Sequence, residues 1–169
     1  MFDLINGIPV HPLVVHAIVV LLPLALIGTI AIAVKPAWRR PYGPLVVAAV
    51  AVSAVLAPIA TSSGEELEHR VGDPGEHAEL GDQLIWFILP LLAVTVALVW
   101  VDRRATKTAA LAEGVSTSTT GASSTTGSKL PTVLAVLSVV AALACTVQVY
   151  RVGDSGAQAA WGDAASGSE

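Results

Sequence analysis

Four histidines, one cysteine and thirteen carboxylates are the groups in this 169-residue chain that could do chemistry. Two of the histidines share one short stretch, His11-Pro-Leu-Val-Val-His16, which runs straight into apolar sequence from Ala17 to Val34. A histidine inside a membrane-length helix is expensive to keep in hydrocarbon, so it is usually held against a partner side chain, a metal or a cofactor. The other two, His69 and His77, lie in an acidic segment. Seven of the thirteen carboxylates fall between Glu65 and Asp82.

Three chemistries suit this set, and the residues alone leave all three open. Neutral imidazoles from two helices could ligate one b-type haem from opposite faces. His16, paired with His77 at the top of the third apolar span, is the expected cofactor-binding pair. Imidazoles with the loop carboxylates could instead hold a divalent metal or a proton, with His11 and His69 as the metal candidates. The third chemistry is structural: His16 hydrogen-bonds Asp82, Gln148 or a backbone carbonyl and fixes helix register. Asp82, Gln148, Arg151 and Asp154 fall at the same level and are the supporting groups. At ~1.5 Å per residue His16 lies about 6 Å below Pro12, where it is expected to face the bundle. No Ser/His/Asp order, phosphate loop, CxxC or HExxH pattern occurs, so no catalytic residue and no independent catalytic activity is expected. Cys145 sits in an apolar run and reads as a small buried hydrophobe.

The elements that must position these groups are membrane spans. The chain is 54% hydrophobic and 13% charged, where a soluble domain carries about 25% charged residues. Its mean hydropathy is +0.72. The first span is expected at about 13–34, with His11 extended before Pro12 and Pro12 opening the helix. The others are expected at about 42–60, 83–101 and 131–150. Thr61-Ser-Ser-Gly64 reads as the end of the second span. Residues 105–128, mostly Ala, Ser, Thr and Gly, read as a flexible cytoplasmic linker, and 151–169 as an outer tail. The N-terminus lacks the basic flank of a cleaved signal, so the first helix is expected to stay. Ala49, Ser53 and Ala57 recur every four residues, a spacing that lets helix backbones approach closely.

Seven of the nine basic residues fall in segments 35–40 and 103–129. Basic residues beside spans mark the cytoplasmic side, which puts both termini and the acidic segment outside. Trp38, Tyr42 and Trp100 then sit at the inner interface, and Trp86, Phe87 and Tyr150 at the outer one. The expectation is one all-α transmembrane domain over 1–169: a four-helix bundle, N-out and C-out, in contact with the lipid bilayer and not with nucleic acid. Arg70-Val-Gly-Asp73 and Arg151-Val-Gly-Asp154 follow the second and fourth spans, and Pro23 and Pro90 sit at comparable depths. Two duplicated hairpins related by an axis along the membrane normal would explain both.

The opening Gly7-Ile-Pro-Val-His-Pro-Leu-Val-Val-His16 resembles the signature of the bacterial membrane proteins grouped as domain-of-unknown-function family 2231. The similarity continues through Ser63-Gly64, His77, Val152-Gly-Asp-Ser-Gly-Ala157 and Trp161, and covers nearly all of the chain outside 105–128. The family's layout is similar to that of di-haem b-type cytochromes, and relatives can be joined to Rieske-type modules. The resemblance implies haem b, an electron-transfer role in the bacterial plasma membrane, and contact with other subunits of a redox complex. Many relatives read Gly-His-Ser/Thr-Gly after the fourth span, where this chain has Gly153-Asp154-Ser155-Gly156. That departure removes the ligand expected for a second haem and leaves Asp154 to bond a histidine's free ring N–H. The rival reading is a non-catalytic accessory subunit of a larger membrane assembly.

Overall fold

The computed structural model describes the backbone of residues 4–5, 8–71, 75–115 and 129–166, and the side chains of 10–68, 75–108 and 129–161. A two-residue antiparallel pairing, Leu4–Ile5 with Ile8–Pro9, leads into the first helix. The helices are α1 (Val10–Val34), α2 (Arg39–Val71), α3 (Glu76–Val115) and α4 (Leu130–Ser166), with a 3-10 turn at Pro36–Trp38 between the first two. All four are long and apolar enough to cross a membrane. Each packs on its sequence neighbours, and α1 closes the ring against α4. The chain is an all-α four-helix bundle in which α1 and α3 stand on one diagonal.

Several boundaries differ from those expected, each for a physical reason. His11 is helical, because Pro12 falls in the first turn, where backbone N–H groups have no intrahelical partner. The segment Thr61–Gly64 does not stop α2. Ser62 and Ser63 donate their hydroxyls back to the carbonyls of Pro58 and Ala60, and the helix former Glu65-Glu66-Leu67-Glu68 carries it on. Most of the acidic segment is therefore helix. Residues 105–115 extend α3 and 151–166 extend α4, where composition read linker and tail. The remainder of that linker, 116–128, lies outside the described residues. At ~1.5 Å per residue the 40-residue α3 is about 60 Å long, twice a ~30 Å hydrocarbon core.

The core is built twice. Six buried positions of α1, Ile18, Leu22, Ala25, Thr29, Ile32 and Ala33, recur in α3 as the buried Leu84, Ile88, Leu91, Thr95, Leu98 and Val99, at one constant spacing along the chain; buried Leu26 and Leu80 have the partly buried Leu92 and Val14 as counterparts. A second constant spacing relates Val46, Val50 and Ser53 of α2 to Ser138, Ala142 and Cys145 of α4, all buried. Hairpins α1–α2 and α3–α4 are thus structural repeats. The register is not the one suggested by the two Arg-Val-Gly-Asp strings: Arg151–Asp154 lies inside α4, and Val152 corresponds to Ala60. Gly72 and Asp73 fall outside the described residues. The buried hydroxyls satisfy themselves. Thr29, Ser53, Thr95 and Ser138 each donate to the carbonyl four residues back, so their burial leaves no open hydrogen bond. Helices approach closely where they meet: a Cβ at Gly28 would stand 2.9 Å from a Val46 methyl, and one at Gly43 2.9 Å from a Val99 methyl.

One end of the bundle is tied by charge. Arg39 is only 5% exposed. Its Nε donates to Ile32 O at 3.0 Å and its Nη2 to Ala33 O at 3.1 Å, using carbonyls that the end of α1 leaves unpaired. Its Nη1 lies 3.5 Å from Asp102 Oδ1 on α3. Nearby, Lys35 stands over the Trp38 ring and Arg104 over the Trp100 ring.

Candidate functional site

The other end carries the histidines. His11, in the first turn of α1, reaches across to α2, where Ala60 O accepts from its Nδ1 at 2.9 Å. Ser63 Oγ lies 3.4 Å from the same nitrogen and donates to the same carbonyl at 3.0 Å. The ring lies against Gly64, where a Cβ would stand 3.1 Å from Cε1. His77, in the first turn of α3, repeats this on α4. Val152 O accepts from its Nδ1 at 3.1 Å, Ser155 Oγ is 3.4 Å away, and a Cβ at Gly156 would stand 2.9 Å from Cε1. The repeat therefore includes the site. A carbonyl only accepts, so in the neutral ring each Nδ1 carries the proton and each Nε2 presents a lone pair.

Both imidazoles line one cavity of about 400 Å³ between α1, α2 and α3. Positions 11, 15 and 18 of α1 and their repeat partners 77, 81 and 84 of α3 all face it. α2 supplies a long wall with Ala57, Ala60, Thr61, Gly64, Glu65 and Glu68, whereas α4 contributes Val152. Asp82 stands exposed at the rim.

His16 is not part of this arrangement. It is exposed on the flank of α1, and its Nδ1 is hydrogen-bonded to Pro12 O one turn back. Five residues at 3.6 per turn rotate it well away from His11, onto the flank that carries the exposed Val19 and Val20. The cavity thus brings His77 together with His11 and not with His16. Of the supporting residues, Gln148 is 1% exposed and donates to Leu80 O at 2.9 Å, tying α4 to α3. Arg151 and Asp154 are exposed. Asp154 accepts from Gln158 at 2.9 Å and, among the described residues, makes no bond to an imidazole. The His69 side chain lies outside the described residues. Among those described, no group of three or more His, Cys, Asp or Glu is placed to hold a metal ion. The sequence signals the clamps only through Ser63-Gly64 and Ser155-Gly156, and nothing in it marks the Arg39 anchor.

Haem, which the family resemblance implies, fits this site in part. Imidazoles fixed through Nδ1–H to carbonyls are the usual state of axial ligands. The charged lining of the cavity does not suit the acid groups of a porphyrin: it consists of Glu65, Glu68 and Asp82, with no lysine or arginine among the described residues.

No curated protein and no solved structure matches the chain. The sequence profile of one family, described as predicted membrane protein (DUF2231), matches residues 7–167. With nearly its whole length matched, and with four apolar helices to account for the description, this chain belongs to that DUF2231 family of membrane proteins.

Proposed function

We propose that this chain is a multi-pass protein of the bacterial plasma membrane that binds a small ligand between the imidazoles of His11 and His77 and does no catalysis of its own. Both termini lie on the extracytoplasmic side in this reading, because the basic residues beside the spans gather at the Arg39 end. One observation carries the proposal: two histidines at equivalent places in two hairpins are each pinned by Nδ1 to a carbonyl, and both line a single cavity. Pinning sets the tautomer and leaves Nε2 to act on a ligand.

Haem b in an electron-transfer subunit of a membrane redox complex is the second reading, favoured by the same Nδ1 anchoring. Bound there, the haem would supply a one-electron couple, with His11 and His77 holding the iron. The test is to purify the wild type and the His11→Ala, His77→Ala and His16→Ala proteins from membranes, then analyse each by native mass spectrometry and optical spectroscopy. A ligand is expected with the wild type and His16→Ala and lost from the other two. Identical ligand content in all four refutes the pocket. A reduced-minus-oxidised spectrum without α and Soret bands removes the haem reading alone.

A further inference from the structure

The chemistry of the cavity wall restricts what can enter it. In the neutral rings the two Nε2 atoms accept, and the side chains of Glu65, Glu68 and Asp82 can only accept. With both Nδ1–H groups taken up by carbonyls, Thr61 is the one lining side chain among the described residues with a donor left for a ligand, and no lysine, arginine or amide side chain lines the cavity among them. Deeper in, the wall is apolar, with the buried Ile18 and Leu84 lining it from equivalent positions. A ligand that satisfies such a wall brings its own donors or positive charge at one end and an apolar body at the other.

The duplication provides an internal control. By the constant spacing of the repeat, Glu65 and Glu68 of α2 correspond to Ala157 and Ala160 of α4. The imidazoles, their serines and their glycines are kept in both halves, whereas Glu65 and Glu68 stand only on α2, which walls the cavity, and Asp82 of α3 has His16 as its counterpart on α1. The symmetric imidazoles both clamp the hairpins and line the cavity; the carboxylates that the repeat does not copy face the cavity alone.

We infer that the cavity between α1, α2 and α3 binds an amphipathic organic ammonium compound, with the cationic head against Glu65, Glu68 and Asp82 and the tail between Ile18 and Leu84. This rests on the cavity being a ligand site, and it names the ligand's class. A free amine suits the wall better than a zwitterionic lipid head, whose phosphate would meet the same carboxylates.

The test uses the full chain in phosphatidylcholine nanodiscs, with empty nanodiscs subtracted, and isothermal titration with hexylamine (a cation at neutral pH), hexanol and hexanoate. Hexylamine is expected to bind saturably, one per chain, about tenfold tighter than hexanol, and hexanoate not to bind. The Glu65→Gln/Glu68→Gln/Asp82→Asn protein, shown folded by its circular dichroism and melting, is expected to bind hexylamine no better than hexanol while keeping its hexanol affinity. Equal wild-type affinities for hexylamine and hexanol, or a triple variant that keeps the preference, overturn the ammonium assignment and leave the pocket standing. Absence of saturable binding by all three probes overturns the pocket as well.

Discussion

Alanine scanning of two neighbouring glycines in α4 reads out the histidine clamp directly. A Cβ at Gly153 meets nothing within 4 Å. Gly153→Ala should therefore gain helix propensity only, about 1 kcal/mol of added stability. A Cβ at Gly156 stands 2.9 Å from His77 Cε1 and 3.0 Å from Nδ1, closer than atoms settle, so the ring must move. Moving it breaks the 3.1 Å bond to Val152 O, a loss of about 1 kcal/mol, which cancels the propensity gain. Any strain from a ring that cannot swing clear comes on top. Gly156→Ala should thus be neutral or destabilising, and the two substitutions should differ by about 1–2 kcal/mol. Reversible unfolding of the purified protein in mixed micelles measures both. Adding His77→Ala closes a double-mutant cycle: without the ring, Gly156→Ala should become as favourable as Gly153→Ala. Equal stabilisation by both glycine substitutions in the wild-type background would refute the seating of His77 on α4.

Other outcomes follow from the same geometry. Arg39→Ala strips two α1 carbonyls and Asp102 of a buried cation and should cost about 3 kcal/mol, partly recovered by Asp102→Asn, as read by melting of the single and double variants. Gln148→Leu removes the donor to Leu80 O and should cost about 1 kcal/mol in the same assay. His16→Ala, on the exposed flank, should change stability by less than about 0.5 kcal/mol; a large loss would mean that this ring has a partner beyond the Pro12 carbonyl. Ser63→Ala and Ser155→Ala should lower stability equally, by a few tenths of a kcal/mol each, because the two clamps are copies.

The sequence makes the four spans legible because twenty or so apolar residues in a row have few other uses. It also points to the histidine-bearing end. It does not assign the roles of the histidines. His16 attracts attention because it is deeper in apolar sequence, yet helix rotation turns it outward, and a bond to its own backbone lowers its cost. His11 looks peripheral beside two prolines, but the helix begins early enough to aim it at α2. The segment Ser62-Ser63-Gly64 carries the letters of a terminator. Its glycine is there for the ring above it, a reason visible only once α1 is beside α2. The Arg-Val-Gly-Asp strings show the opposite error: four identical letters in the wrong register, while the true duplication is written in alternating burial, with Thr29 and Thr95 among its few identities. Arg39 reads as one more basic residue at a span boundary, and only tertiary contact reveals it as an anchor.

Each clamp closes inside its own hairpin: His11 fastens to the helix that follows it, and so does His77. The first hairpin can therefore lock as soon as α2 has emerged, with no help from the second. The cavity, by contrast, exists only along the seam where the finished halves meet. A ligand lodged in that seam would touch both halves, and its binding would add to the contacts of α2 with α3 and of α1 with α4 that already join them.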